Sequence, residues 1–377
     1  MQRPNDRFVR LDLQAERRML VVSDIHGHLG LFDRLLAQSG FGADDFLIIL
    51  GDMVEDGENC LGSLRRCMAL DQQDNVFVLS GNWEKRMAEL LKSPGPDTQN
   101  MIRRYSLKQI SYCGSSLLTD MCHEMGEELT QDTDMADLMP RLCKHFRREL
   151  DYMENLPVTL EAGGYFFVHG GVPTLDCDAL ARMPEIDLLK NDAFAEQGHV
   201  FDRWVVTGHW PVSLYDERQP RLTPHVFPKS RIIAIDGGCG KKKEEQLNML
   251  ILRAGSGLPG EWIFAEDHPR IRALARQDEA AGFANLRWTC DKEVDILDRH
   301  DDMVTVRSHK TGRVLDAPES LVFEWNGQTV CADLTDYCLA VEPGDELRLV
   351  IRCSRGLYAK KNGVVGWYTG SWEPIHE

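Results

Sequence analysis

Five short polar clusters each follow an apolar run of the sequence, at the point where a buried strand would end. In sheets covered by helices, side chains at the carboxyl ends of strands face an open crevice where ligands collect. One Asp-x-His or Gly-His pair would be weak evidence, but five clusters in order predict a single shared site. The clusters are SDIHGH (23–28), GDMVEDG (51–57), GNWE (81–84), VHGG (168–171) and TGHW (207–210).

These clusters contain carboxylates, imidazoles and one amide, and they contain no thiolate. Such a ligand set suits manganese, iron or zinc. A carboxylate at the central position can bridge two ions, and two ions about 3.5–4 Å apart can hold a hydroxide and clamp a phosphoryl group for in-line attack. The candidate metal ligands are Asp24, His26, Asp52, Asn82, His169 and His209.

The elements that would position these residues alternate between strands and helices. Apolar strand runs at 17–23, 46–50 and 75–79 are each followed by apolar residues at helical spacing, which indicates sheets covered by helices. The segment 97–155 lacks strand runs and predicts a helical insertion. Further strands are predicted within YFFVHGG, DRWVVTGHW, RIIAIDGG and QLNMLIL.

The pattern changes after the turn GSGLPG (255–260). A charged, helix-like stretch follows, and from about residue 290 the sequence shows short strands such as MVTVR and ELRLVIRC. We therefore predict a catalytic domain at 1–260, a linker or helix at 261–289 and a small β domain at 290–377.

The first part of the chain resembles the calcineurin-like metallophosphoesterases, within the branch of phosphoprotein phosphatases and diadenosine tetraphosphatases. The similarity runs from about residue 18 to 253 and includes LPVTLEAGGYFFVHGG and the later IDGGCG. It implies a four-layer αββα sandwich. It also implies that Asp24, His26 and Asp52 hold one ion, and that the second ion is held by Asp52, Asn82, His169 and His209. Two divalent ions are expected, manganese first, with iron or zinc as alternatives.

The sequence departs from that branch at positions around the ligands. The branch usually reads GDxVDRG, so its phosphate-binding arginine is Asp56 here, and the aspartate that orients the acid histidine is Glu55. The acid histidine itself is Trp83. A second arginine usually precedes the Gly-His turn, where LLKNDAF offers Lys190 and Asn191 in an undetermined register.

Trp83 has two interpretations, because an indole offers one N–H and a flat apolar face rather than an acidic proton. It packs behind the metal site, or it stacks on a base, sugar or aromatic leaving group. His28 and His225 are candidate replacement acids, and Asp56 would meet a cationic substrate group or a nearby lysine. The predicted catalytic residues are Asp52, His28, Trp83, Glu55 and Asp56.

Composition limits the partners and the compartment. A formal net charge of -17 in 377 residues argues against general nucleic-acid binding, and the run Lys241–Lys243 is interpreted as a solvated turn. The sequence shows no signal or membrane segment. The 11 cysteines are scattered and odd in number, which favours reduced thiols in a cytoplasm.

The C-terminal stretch GLYAKKNGVVGWYTG loosely resembles a bacterial SH3-type barrel, and its aromatics are either core residues or a face for a protein partner. The expected function is that of a two-metal phosphatase, similar to serine/threonine phosphatases, acting on a phosphorylated protein, nucleotide or small molecule. A phosphodiesterase or nucleotide pyrophosphohydrolase is the first alternative. A metal-binding pseudophosphatase acting through its C-terminal domain is the second.

Overall fold

The computed structural model describes residues 7–93, 95–215, 220–280, 285–287 and 291–376. The chain forms two compact units. The first unit comprises the chain up to Pro211 together with Pro224–Lys241 and Gln246–Ala265, and the second comprises Val212–Thr223, Lys242–Glu245 and Glu266 onward. Among the described residues, no helix is both long enough and apolar enough to cross a membrane.

The first unit contains two sheets with parallel strands at their centres. The five-stranded sheet has the order β11-β10-β2-β3-β4, and the six-stranded sheet has the order β1-β5-β6-β7-β9-β8. The strands are β1 (Phe8–Leu11), β2 (Arg18–Val22), β3 (Phe46–Ile49), β4 (Val76–Val78), β5 (Thr159–Ala162), β6 (Tyr165–Val168), β7 (Trp204–Thr207), β8 (His225–Phe227), β9 (Ile232–Ala234), β10 (Leu247–Arg253) and β11 (Glu261–Ala265).

Strand β2 shows how the two sheets build two cores. Met19 and Val21 point into a core shared with residues of the six-stranded sheet, such as Phe167. Leu20 and Val22 point the other way, into a core formed with the helices. Side chains alternate across a strand, and a parallel strand covered on both faces is therefore apolar throughout. This explains the uninterrupted run MLVV.

Helices cover the outer face of the five-stranded sheet and fill the segment that was predicted to be a helical insertion. The long helix of that segment starts with Pro96 at its first position and ends before Gly114, whose φ is 90°. The helices are α1 (Leu29–Ser39), α2 (Cys60–Leu70), α3 (Asn82–Lys92), α4 (Pro96–Cys113), α5 (Leu117–Glu124), α6 (Met135–His145), α7 (Arg147–Glu154), α8 (Cys177–Leu180) and α9 (Glu185–Leu189).

The second unit is built of antiparallel sheets. The largest has the order β22-β21-β20-β12-β23, beside the three-stranded sheet β14-β15-β16 and two pairs, β13-β19 and β17-β18. The strands are β12 (Arg270–Ala273), β13 (Asn285–Leu286), β14 (Val294–His300), β15 (Met303–Ser308), β16 (Val314–Pro318), β17 (Val322–Trp325), β18 (Gln328–Cys331), β19 (Leu334–Thr335), β20 (Glu346–Cys353), β21 (Gly356–Lys361), β22 (Val364–Tyr368) and β23 (Trp372–Pro374).

The helix predicted within 261–289 is wrong for the described residues, which form strands there. Strand β12 pairs with β20 and β23, and it buries Ile271 and Ala273. Arg270 and Arg272 alternate with these two residues, and Arg270 forms an ion pair with Glu346 across the sheet. The charges therefore belong to the polar face of a strand with period two rather than to a helix. The predicted domain boundaries and the SH3-like barrel stay predictions.

A buried lysine holds several segments of the second unit together. The ammonium of Lys360 donates to the carbonyls of Glu244 at 2.6 Å and Glu245 at 2.9 Å, and it forms an ion pair with Glu266. Burial lowers the pKa of Lys360, and the nearby Glu266 opposes that shift. Tyr358 and Trp367 are also buried in this unit, so their side chains serve as core.

The core between the two sheets yields a stability prediction. Ile48 on β3 is fully buried in that core, and Ile48→Ala removes methyl groups that the neighbours cannot replace. We expect the free energy of unfolding to fall by about 2–5 kcal/mol, measured by urea denaturation. Val200→Ala at a site that is 73% exposed is the control, and it should change stability by less than about 0.5 kcal/mol. Equal effects would contradict the assigned core.

Candidate metal centre

The predicted ligands follow strands whose carboxyl ends lie at one edge of each sheet. Asp24 comes two residues after β2, Asp52 three residues after β3, and Asn82 begins α3 after β4. His169 directly follows β6, and His209 comes two residues after β7. Strands β2, β3 and β4 run parallel, as do β6 and β7, so the residues after them gather at the same end.

Asp52 occupies the central position of the site. Its Oδ1 accepts a hydrogen bond from the backbone N–H of Trp83 at 2.9 Å. Its Oδ2 lies 3.7 Å from Nε2 of His26 and 3.4 Å from Nε2 of His169. Two groups of potential ligand atoms, each within 4.8 Å of one another, therefore share this carboxylate: Asp24, His26 and Asp52 in one, and Asp52, His169 and His209 in the other.

Asp24 is held through one oxygen only. Its Oδ2 accepts from the hydroxyl of Ser23 at 2.5 Å and from the backbone N–H of His209 at 3.0 Å. Its buried Oδ1 makes no hydrogen bond within the described part of the chain. A buried carboxylate oxygen without a donor is costly unless a cation binds it. This oxygen therefore fits the role of a metal ligand.

The histidines are oriented by acceptors outside the site. Nδ1 of His169 lies 2.8 Å from the carbonyl of Leu50, and Nδ1 of His26 lies 3.2 Å from the carbonyl of Val54. Because a carbonyl can only accept, each Nδ1 carries a proton, and Nε2 is the nitrogen left to bind a metal. Oδ1 of Asn82 lies 3.2 Å from Nε2 of His169, so these two donor atoms face the same point.

His209 is positioned by a carboxylate that the sequence patterns did not reveal. Its Nε2 lies 2.8 Å from Oδ1 of Asp192, and the His209 hydrogen bond lowers the pKa of that carboxyl to about 2. Asp192 also accepts from Lys190 at 3.2 Å. In the stretch LLKNDAF, Lys190 and Asn191 are the residues near the place where the family pattern has an arginine. Asn191 instead accepts from Gln197 at 2.6 Å.

Many site residues adopt the left-handed backbone region that is unusual for residues other than glycine. Among the described residues, twelve non-glycine positions have a positive φ, and six of them are in the site's turns. Such strain costs about 1–3 kcal/mol per residue and persists only where the surroundings enforce it. The six residues are Asp24 (56°), His26 (45°), Asp52 (48°), Glu55 (67°), Asp56 (60°) and His209 (64°).

Glycines allow the turns of neighbouring strands to meet. A Cβ added at Gly81 would clash with the backbone and carboxylate of Asp52, and one at Gly51 would clash with the backbone of Gly81. A Cβ at Gly208 would clash with Ser23 and Asp24. Glycine is required at these positions because the backbones approach too closely for any side chain.

Glu84 supports the central turn and was also missed from the sequence. Its buried carboxylate accepts from the backbone N–H groups of Asp52 at 2.9 Å, Met53 at 2.7 Å and Gly81 at 2.8 Å. Burial, with the Asp52 charge second, raises the pKa of Glu84 to about 7. Its place three residues after the Gly81 N-cap is the spacing of a capping box, which could have revealed it.

The buried acids concentrate negative charge in the site. Burial raises the pKa of Asp24 to about 6 and that of Asp236, which follows β9, to about 7. Burial opposes protonation of His169, but the carboxylates of Asp52 and Asp24 outweigh it and raise the pKa of His169 to about 10. A buried site with this much uncompensated negative charge favours bound cations.

The residues that depart from the family pattern contact helices α4 and α5. Glu55 is buried, which raises its pKa to about 8, and it accepts from the N–H of Leu117 at 2.9 Å. Asp56 accepts from the side-chain amide of Gln109 at 2.7 Å and forms an ion pair with Lys241. The same amide lies 2.6 Å from the hydroxyl of Tyr105.

Trp83 is half-buried and packs among these side chains. Its ring stacks on Tyr105 with 5.6 Å between the centroids, and it also packs against the core beneath the helices. Nζ of Lys241 lies 5.0 Å and Cζ of Arg86 5.6 Å from the indole centroid. The packing interpretation therefore has direct contacts, whereas stacking on a substrate stays a prediction.

The two candidate replacement acids, His28 and His225, stay predictions. His28 precedes α1, where its carbonyl accepts from the N–H of Phe32 at 3.1 Å. His225 lies on the edge strand β8 and stacks on Phe227, with ring centroids 4.4 Å apart. Neither ring belongs to the two groups of ligand atoms that share Asp52.

An α/β sandwich with carboxylates and imidazoles gathered at its strand ends is the architecture of a metal-dependent hydrolase. Residues 17–238 match the calcineurin-like phosphoesterase family, and the chain belongs to that family. The predicted family, α/β fold and enzyme class are confirmed, as is the presence of additional C-terminal β sheets. Members of this family use divalent metal ions, which agrees with the clusters of potential ligands around Asp52.

The chain is similar to known phosphatases and to a metallophosphoesterase over part of its length. Serine/threonine-protein phosphatase 1 of Salmonella typhimurium is 30% identical over 86 residues, which cover 22% of this chain and 38% of that protein. A protein serine/threonine phosphatase of Saccharomyces cerevisiae aligns with 17% identity and a TM-score of 0.44, over 70% of this chain and 85% of that one. A metallophosphoesterase of Sphaerobacter thermophilus aligns with 16% identity and a TM-score of 0.38, over 67% and 89%.

Replacing Glu84 tests its support of the central turn. Glu84→Gln keeps the shape but places an NH₂ group against backbone N–H donors, so at least one buried donor loses its acceptor. We expect the free energy of unfolding to fall by about 1–3 kcal/mol, together with reduced manganese content by elemental analysis. The control is Glu89→Gln, an exposed carboxylate on the same helix. Wild-type values for both stability and metal content in Glu84→Gln would contradict the assigned role.

Proposed function

We propose that this protein is a two-metal phosphatase, similar to serine/threonine phosphatases, that hydrolyses phosphomonoesters of proteins or small molecules. The observation that carries the proposal is the position of Asp52 Oδ2, within 3.7 Å of His26 Nε2 and 3.4 Å of His169 Nε2. One carboxylate oxygen between two imidazoles can serve two metal ions. Family membership and the 30% identity to a serine/threonine phosphatase over 86 residues support the substrate class.

In this proposal, Asp24, His26 and Asp52 hold one ion, and Asp52, Asn82, His169 and His209 hold the other. The donor set of oxygens and imidazole nitrogens suits manganese, with iron or zinc as alternatives. Bound divalent ions supply Lewis acidity, which generates a hydroxide nucleophile at neutral pH and neutralises charge on the phosphoryl group. The free Oδ1 of Asp24 and the carbonyl-oriented imidazoles fit this role.

The chain's own residues fix the geometry of the site. The Trp83 N–H holds Oδ1 of Asp52, so Oδ2 stays directed between the histidines. Asp192 holds His209, and Glu84 fixes the turn that carries Asp52. Supporting residues of this kind orient ligands and commonly change metal affinity or activity by about 10–100-fold when they are mutated.

A second candidate is hydrolysis of phosphodiesters or nucleotide pyrophosphates. Trp83 replaces the expected acid and cannot protonate a leaving oxygen as an imidazolium would. The Asp56–Lys241 ion pair is neutral overall, where the family pattern places an arginine. A dianionic monoester has more charge to neutralise than a diester, and the lost cation therefore favours the diester.

As a further proposal, the ten free cysteines among the described residues support a cytoplasmic location.

Removing the shared charge tests the two-metal proposal. Asp52→Asn should abolish hydrolysis of p-nitrophenyl phosphate and bring metal content below the two ions per chain expected for the manganese-loaded wild type. Elemental analysis and steady-state kinetics measure both. Asp44→Asn, an exposed carboxylate, is the control and should behave as the wild type. Wild-type turnover in Asp52→Asn would refute the mechanism.

The contacts around Trp83 predict that restoring only the histidine is ineffective. Glu55 is anchored by the Leu117 N–H and Asp56 by Lys241, and an imidazole at position 83 would lack the aspartate and arginine that accompany it in the family pattern. We expect Trp83→His to gain little on p-nitrophenyl phosphate. The triple variant Trp83→His, Glu55→Asp, Asp56→Arg should increase turnover of this monoester relative to bis(p-nitrophenyl) phosphate. A positioned acid contributes about 10²–10⁴-fold. A full gain from the single change would contradict this expectation.

A further inference from the structure

Lys241 contacts two residues, Asp56 and Trp83, that are themselves neighbours of the predicted metal ligands. Its ammonium pairs with Asp56 Oδ2, and that oxygen lies 3.9 Å from Nδ1 of His26. The same ammonium lies 5.0 Å from the ring centroid of Trp83, whose backbone N–H donates to Asp52. The sequence pattern predicts a solvated turn at Lys241–Lys243, and Lys241 does lie exposed in a turn, where its ammonium also pairs with Asp56.

The turn after β9 brings Lys241 to this place. The N–H of Lys241 donates to the carbonyl of Gly238 at 3.0 Å, which closes the turn. Gly240 has a φ of 71°, and a Cβ there would lie 2.5 Å from the carbonyl oxygen of Asp56 and 3.0 Å from Cβ of His26. Residue 240 must therefore be glycine, and Lys241 is the next residue of the turn.

The ammonium of Lys241 has donors to spare. A lysine carries three N–H donors and no acceptor. Asp56 engages Lys241 and also accepts from Gln109, so the carboxylate is held on both sides. The Lys241 side chain is 35% exposed, and its remaining donors are open to solvent. An incoming phosphoryl oxygen could accept from it without breaking the ion pair.

We propose that Lys241 is the cation that binds a phosphoryl oxygen of the substrate, and that Asp56 attenuates its charge. The proposal deepens the proposed phosphoesterase function and rests on it. The family pattern supplies a phosphate-binding arginine at position 56, whereas this chain has reversed that charge and supplies a cation from another turn. A lysine acts as a point charge rather than a bidentate fork. Paired with Asp56, it gives a site that discriminates weakly between singly and doubly charged phosphoryl groups.

The neighbouring residue Lys243 provides a matched control. It belongs to the same basic run and is exposed, with Lys242 between them engaged in an ion pair with Asp333. A general effect of net charge would appear equally at Lys243 and Lys241. An effect of a placed cation would appear only at Lys241.

The first experiment compares Lys241→Met, Lys241→Arg and Lys243→Met in the full chain. We expect Lys241→Met to weaken inorganic phosphate binding, measured by calorimetry, and to increase KM for p-nitrophenyl phosphate, each by about tenfold or more. Metal content and Tm should not change. Lys241→Arg should restore most of the binding, and Lys243→Met should match the wild type. Unchanged phosphate binding and KM in Lys241→Met would overturn the proposal, and so would an equal loss in Lys243→Met.

The second experiment tests the role of Asp56. Asp56→Asn keeps an oxygen for Gln109 but removes the charge beside Lys241. We expect tighter phosphate binding and a larger preference for p-nitrophenyl phosphate over bis(p-nitrophenyl) phosphate. In a Lys241→Met background the same change should have no such effect. Weaker phosphate binding in Asp56→Asn, or an equal gain in both backgrounds, would refute the attenuating role.

These measurements separate the two proposals. If the wild type hydrolyses neither ester with any divalent metal, the proposed function fails, while phosphate calorimetry still decides whether Lys241 binds the anion. If the wild type is active and Lys241→Met behaves like it, only the assignment of Lys241 fails.

Discussion

The structure of the site depends on how one carboxylate, that of Asp52, is held at the meeting point of two turns. Its backbone is in the left-handed region, its N–H is fixed by Glu84, and its Oδ1 is fixed by the N–H of Trp83. Glycines at 51 and 81 are needed because a Cβ at Gly51 would clash with the backbone of Gly81, and a Cβ at Gly81 would clash with Asp52. With these constraints in place, Oδ2 lies 3.7 Å from Nε2 of His26 and 3.4 Å from Nε2 of His169. The turn conformation and the two glycines therefore contribute to the position of this oxygen.

This arrangement is unstable electrostatically unless it is compensated. Asp24, Asp52, Glu84 and Asp236 are all nearly inaccessible to solvent, and burial raises the pKa of three of them, Asp24, Glu84 and Asp236. Backbone N–H groups relieve part of the cost, since Glu84 alone accepts three. The rest of the negative charge is directed inward, at the point where the imidazoles also converge. Divalent metal ions, which members of the family use, would compensate this charge.

The residues at positions 55, 56 and 83, which differ from the family pattern, all contact the helices that follow β4. Glu55 binds the N–H at the start of α5, Asp56 binds Gln109 of α4, and Trp83 stacks on Tyr105 of the same helix. The helical segment between β4 and β5 thus contributes directly to the surroundings of the metal ligands. A guanidinium at position 56 would leave Lys241 without its carboxylate partner. An imidazole at position 83 would leave Tyr105 without the indole on which it stacks.

The sequence by itself determined the strand–helix alternation and the family. It also indicated that six ligand-type residues gather at one site, because each of these residues follows an apolar run and parallel strands end at one edge of a sheet. It could not determine which side chains hold those residues. Glu84, Asp192 and Lys241 lie 32, 17 and 185 positions from the residues they contact, and no local pattern encodes such a distance. The charged stretch after residue 260 misled the helix prediction because its strand partners come from segments about 76 and 101 residues away. Local periodicity records which face of an element is buried, whereas only tertiary packing decides what that face meets.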